Sequence, residues 1–131
     1  MQTATADEIR IEHLERIAVK RDGSVFFVNV DEVDYFKAAA NYVRLHVGAD
    51  VHVIRERVSE LAARLDPKRF ARIHRSTIVN TARIREIQPW FSGDAIVVLH
   101  NGQRLRLSRL FRMAIDLETR NRLEAVQGSM V

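Results

Sequence analysis

Three observations predict a mainly β domain with short helices, one central and one C-terminal. Short runs rich in β-branched and aromatic residues recur from Ile17 onward, several of them alternating apolar with polar. The turn pairs Asp22-Gly23 and Asn101-Gly102 fall between such runs. Apolar residues recur at helical spacing in only two places, residues 57–65 and 108–125.

The 131 residues suit one domain, long enough to bury a core without staples. With 47% hydrophobic and 29% charged residues the composition is that of an ordinary globular protein. There is no cysteine, which excludes a disulfide framework, a thiolate metal site and a cysteine nucleophile. No N-terminal apolar region resembles a signal peptide, and no run reaches membrane-spanning length, so no membrane insertion is expected. The chain reads as cytoplasmic and bacterial.

Residues 1–16 are polar apart from Ile9, Ile11 and Leu14, and read as a linker or short helix. Residues 17–30 form a hairpin about Asp22-Gly23. Residues 33–40 and 42–47 give two further strands with Asn41 at the bend. In the second, Tyr42, Arg44 and His46 share one face, and Val43, Leu45 and Val47 the other. A turn at residues 48–50 leads into residues 51–54. Val58, Leu61, Ala62 and Leu65 then fall at i, i+3, i+4 and i+7, a helix of about two turns that Asp66-Pro67 ends. Residues 70–80 read as a loop and turn region. After it, residues 84–91, 95–100 and 104–107 make a three-stranded meander. Pro89 marks its strand as an edge or a bulge, and Asn101-Gly102 suggests a type I′ turn. Ser108 has the character of a helix N-cap for a C-terminal helix running to about Ala125, and residues 126–131 read as a flexible tail.

Charge is unevenly placed. Residues 1–67 carry nine Lys or Arg against twelve Asp or Glu, a net of −3, whereas residues 68–112 carry ten against two, a net of +8. Eighteen of the 21 basic residues are Arg, the side chain that grips phosphates and base edges bidentately. The sharpest stretch is residues 70–80, FARIHRSTIVN, where Arg72, His74, Arg75, Ser76 and Asn80 interleave with Ile73, Ile78 and Val79. No acid falls between Lys68 and Arg85, so the stretch should face an anion, pinned to a core by its apolar residues. Arg75 and Arg109 each adjoin a serine. An Arg on a tight turn can take guanine O6 and N7 together, while neighbouring serines and N–H groups hold phosphates.

Other constellations are weaker. The five histidines, His13, His46, His52, His74 and His100, have no metal-ligand spacing beyond a loose His46/His52 pair. His74 as a general base lacks an orienting carboxylate in any motif. Tyr35, Phe36, Trp90 and Phe91 are read as core aromatics. No phosphate-binding glycine motif is present. No catalytic residue, metal or cofactor is expected.

These pieces, in order, resemble the LytTR DNA-binding domain, the β-rich output module of many bacterial response regulators. Asp34-Tyr35-Phe36-Lys37-Ala38 with Asn41-Tyr42-Val43, the leucines of residues 55–65, the whole of residues 70–80, residues 84–87, Asn101-Gly102 and Leu107-Ser108-Arg109 carry the resemblance. It spans residues 17–117, within a domain bounded at 17–125. Lys37 stands where the family often has Glu. The resemblance implies an elongated arrangement of small antiparallel sheets lying along bent DNA, with loops entering successive major grooves. It implies base contacts from Arg75, Arg109 and the Asn41-Tyr42 loop, with Arg72, His74, Ser76 and Arg112 on phosphates or the groove edge. Asn80 is read as mainly structural.

The expected function is sequence-specific binding of double-stranded DNA by a transcriptional regulator, with two copies side by side as a homodimer on direct repeats. An alternative is an interaction module whose Arg cluster docks an acidic or membrane-bound regulatory partner; a weaker one is phosphodiester cleavage through His74. An upstream sensor domain would make this chain the output part of a longer protein, and a stand-alone regulator is the other reading.

Overall fold

The computed structural model describes residues 12–112 and Ile115. Among the described residues ten strands form three antiparallel sheets. β1 (Arg16–Arg21) and β2 (Ser24–Asn29) make a hairpin whose turn has Asp22 at φ +51° and Gly23 at φ +82°, the left-handed pair a type I′ turn requires. The five-stranded sheet runs β5 (Asp50–Ile54), β4 (Tyr42–Val47), β3 (Tyr35–Ala39), β7 (Thr77–Asn80), β6 (Phe70–His74). The third is the expected meander of β8 (Ile84–Pro89), β9 (Ala95–Leu99) and β10 (Arg104–Leu107).

The five-stranded sheet is covered on both faces. Phe36, Val43, Leu45 and Ile78 pack with Leu61 of α1 (Val58–Arg64), with Leu65 just past its end, and with Ile17, Val19 and Val28 of the first hairpin. Tyr35, Ala71, Ile73 and Val79 pack instead with Ala95, Val97 and Leu107 of the meander. Strand alternation sends successive residues to opposite faces, so Tyr35 and Phe36 serve different cores. The face predicted for β4 is the observed one: Val43 and Leu45 are buried, and Tyr42 and Arg44 exposed. Each core side chain of this size contributes about 1.5–3 kcal/mol by leaving water.

Several expectations need correction. Residues 70–80 are not a loop: they form the β6–β7 hairpin, the edge of the central sheet. The bulge at Ile73 and the run of four buried residues in β7 interrupt the period-2 alternation that marks a half-buried strand. Asn101-Gly102 does not form a type I′ turn. Only Gly102 has positive φ, +89°, and the bonds Gly102 N–H to Leu99 O (2.9 Å) and Leu99 N–H to Gln103 O (2.8 Å) close a three-residue loop. β8 is an edge strand and also carries a register shift, but between Ile84 and Glu86, with Pro89 at its end. Ser108 does act as an N-cap, its Oγ accepting Leu110 N–H at 3.3 Å, and it starts a 3-10 turn, Arg109–Phe111. Residues 1–11 and the remainder of the expected C-terminal helix lie outside the described residues.

Candidate nucleic-acid interface

The β6–β7 hairpin shows how the sequence aims its polar residues outward. Arg72 pairs with Ile78 and His74 with Thr77, so Ile73 is an extra, bulged residue. Its side chain is fully buried, and its carbonyl accepts Ser108 N–H at 2.8 Å, tying β6 to the end of β10. Beyond the bulge a two-residue turn, Arg75-Ser76, is held on both sides. Arg72 Nη2 donates to Arg75 O at 2.6 Å, and Ser76 N–H donates to His74 Nδ1 at 3.2 Å. Because a backbone N–H can only donate, Nδ1 must accept, which leaves the neutral imidazole with its proton on Nε2. Burial lowers the His74 pKa, and the positive charges of Lys37, Arg106 and Arg75 lower it further. Ser76 Oγ lies 2.9 Å from the same Nδ1. Thr77, Ile78 and Val79 are buried and anchor the hairpin in both cores.

Three turns meet along one side. β3 is antiparallel to β7, with Lys37 opposite Thr77 and Ala38 N–H bonded to Ser76 O at 2.8 Å, so the β3–β4 turn lies beside the Arg75-Ser76 turn. In that turn Ala40, not Asn41, takes the left-handed conformation, φ +56°; Asn41 and Tyr42 follow it, both exposed. On the other flank the Ile73–Ser108 bond brings in Arg109. Asp94 Oδ1 accepts Arg109 N–H at 2.9 Å, and its Oδ2 accepts Arg106 Nε at 3.1 Å and Nη2 at 2.6 Å. These bonds, that from the Arg109 N–H foremost, hold the Asp94 carboxyl below its ordinary pKa. Arg112 Nη1 donates to Gly93 O at 3.0 Å.

The basic cluster sorts into two populations. Arg69 pairs with Glu15 and Asp31, Arg83 with Asp34, Arg85 with Glu86 and Arg106 with Asp94. The expectation that the whole acid-free stretch faces an anion is therefore corrected: acids from outside the stretch neutralise part of it. Arg75 and Arg109 are exposed, and neither guanidinium is in an ion pair among the described residues. Arg72 is half-buried, with its guanidinium 5.4 Å over the Phe111 ring, and braces the Arg75 turn. Asn80 is buried and structural: its Nδ2 donates to Val33 O at 3.0 Å and its Oδ1 accepts Ala82 N–H at 3.1 Å.

Trp90 and Phe91 are not core residues as expected; both are exposed, at the end of the edge strand β8 where the sheet runs out. Tyr35 and Phe36 are buried as expected. Asp94 went unnoticed in the sequence. The available signal was its position as one of only two acids in residues 68–112. His46 and His52 are not cross-strand partners, since Leu45 faces His52 and His46 faces Val51. His46 stacks on Tyr35 instead, ring centroids 4.1 Å apart. Among the described residues no group of His, Asp and Glu could hold a metal, and no helix is long and apolar enough to cross a membrane.

Small antiparallel sheets held together through a β hairpin, with basic turns along one side, define a β-rich domain that presents a basic, turn-built surface. The LytTr DNA-binding domain family matches residues 23–116, and the chain belongs to that family. It is 27% identical over 109 residues to the transcriptional regulatory protein LytR of Staphylococcus aureus strain N315, covering 83% of this chain and 44% of the relative. It is 26% identical over 98 residues to the sensory transduction protein LytT of Bacillus anthracis, covering 75% and 40%. The chain thus spans less than half the length of these relatives. The LytTr DNA-binding domain of a response regulator from Bacillus cereus shares the fold, with a TM-score of 0.73 at 21% identity over 81% of this chain and 97% of that one.

Proposed function

We propose that this domain binds double-stranded DNA sequence-specifically within a transcriptional regulator. Arg75 and Arg109 read base edges in the major groove, and the Asn41-Tyr42 turn makes a third contact. Arg72, His74, Ser76 and Arg112 line phosphates or the groove edge, and two copies occupy direct repeats. The observation that carries this reading is the pair of unpaired guanidinium groups on braced turns, at opposite ends of the Ile73–Ser108 junction, in a chain of this family. Braced backbone and a free guanidinium are what bidentate recognition of guanine requires. Catalysis is not part of the reading: among the described residues no carboxylate hydrogen-bonds His74, whose Nδ1 is occupied by Ser76.

The test is affinity for duplex DNA as a function of salt, for the unaltered chain and Arg75→Ala. The log–log slope should be about −0.9 per phosphate contact. Arg75→Ala should lose preference for the cognate site over random DNA. Cleavage of the duplex, or unchanged preference in Arg75→Ala, would overturn the assignment.

A further inference from the structure

Phe91 and Leu110 are the most exposed large hydrophobic side chains among the described residues, at 73% and 82%. Single exposed apolar residues are ordinary, but these two sit in the two 3-10 turns that meet at Arg109. Leu110 follows Arg109 directly. Phe91 opens the turn whose Gly93 lies against the Arg109 side chain: a Cβ added to Gly93 would stand 3.5 Å from Arg109 Cβ. The same turn delivers Asp94 to the Arg109 N–H. Its middle residue, Ser92, is held at φ +55°, a conformation that costs a non-glycine residue free energy. Trp90, half-exposed, sets its ring 5.5 Å from Phe91, and the Arg106 guanidinium lies 5.9 Å over it.

The patch is therefore apolar at its tip and ringed by Arg106, Arg109 and Arg112. An occupant complementary to it combines negative charge with apolar surface. The major groove has that combination, because the thymine C5-methyl is an apolar group on a base edge flanked by phosphates. We propose that Phe91 and Leu110 are specificity-determining residues that contact thymine methyls next to the guanine taken by Arg109. This rests on the reading of Arg109 as a base-edge contact. It adds a thymine preference that the arginines alone do not supply.

The experiment uses the duplex enriched by this chain from a random library. Each thymine is replaced in turn by deoxyuridine, which removes only the methyl. Affinity is measured for the unaltered chain, Phe91→Ala, Leu110→Ala and Arg109→Ala. Both apolar side chains are exposed, so their truncation should leave the unfolding midpoint unchanged. Loss of one methyl next to the Arg109-dependent guanine should weaken the unaltered chain about three- to fivefold, the worth of one buried carbon. It should cost Phe91→Ala or Leu110→Ala nothing further. If no thymine matters and both variants bind as the unaltered chain does, the inference is overturned, while guanine loss in Arg109→Ala still upholds the major-groove reading. If Arg109→Ala keeps every base preference, both fall. If Phe91→Ala changes only cooperativity between two copies, the patch is a protein contact and the inference is overturned.

Discussion

The carboxylate of Asp94 takes the backbone N–H of Arg109 at 2.9 Å through one oxygen and the Arg106 guanidinium through the other. An acid in a surface proposed to meet DNA opposes binding by charge alone. Its bonds explain its presence: it fixes the backbone from which Arg109 reaches outward. Asp94→Ala should therefore separate two effects. Affinity for random DNA should rise slightly, and affinity for the cognate site should fall, because the Arg109 backbone loses the charged acceptor that fixes it. Fluorescence anisotropy on both duplexes measures the two. Because the Asp94 pKa is lowered, its contribution is present above the ordinary carboxylate range and lost only as pH falls through the lower folded value. Cognate preference should accordingly hold down to about pH 5.

Arg75→Ala and Arg109→Ala should each cost about 1–3 kcal/mol on the cognate site and relax preference at separate base pairs. Arg112→Ala should weaken all sequences more evenly and reduce the salt slope by about 0.9. Competition binding against single-base-pair variants of the site distinguishes the two patterns.

Two histidines should make stability depend on mildly acidic pH. Burial lowers the pKa of both His46 and His74, and neighbouring positive charges, Arg44 and Lys37 for the first and Lys37, Arg106 and Arg75 for the second, lower it further. The unfolded chain then takes up protons first as pH falls. Stability should decline as pH drops through about 6.5 and level off below the folded pKa values. Denaturant midpoints between pH 7.5 and 5 test this, and His74→Gln should flatten the slope.

Ile73 and Ile78 are fully buried on opposite faces of the hairpin that presents Arg75. Truncating either to Ala should cost about 2–5 kcal/mol of stability. Binding should then be lost in proportion to the unfolded fraction and regained on cooling or with stabilising osmolytes. Urea unfolding followed in parallel with DNA affinity checks the link.

Much of this architecture is legible in the sequence because its signals are local. Asp22-Gly23 dictates a type I′ turn, and the alternation in residues 42–47 assigns the two faces of β4. Val58, Leu61 and Leu65 mark the central α-helix and its end. What escaped the sequence depends on distant partners. Arg69 and Arg83 look like free cations until the segment between β2 and β3 brings Asp31 and Asp34 to them. The bulge at Ile73 is invisible because the buried apolar residue fits an unbulged strand equally well. Trp90 and Phe91 read as core because aromatics in strands usually are, but theirs is the exposed end of an edge strand.

The most direct test of the central claim is selection by the purified chain from a library of random duplex DNA at near-physiological salt. The account predicts enrichment of a short motif, repeated in the same orientation at fixed spacing, with guanines whose importance disappears in Arg75→Ala and Arg109→Ala. Binding without any enriched motif would contradict it, leaving only non-specific attraction between a basic surface and a polyanion.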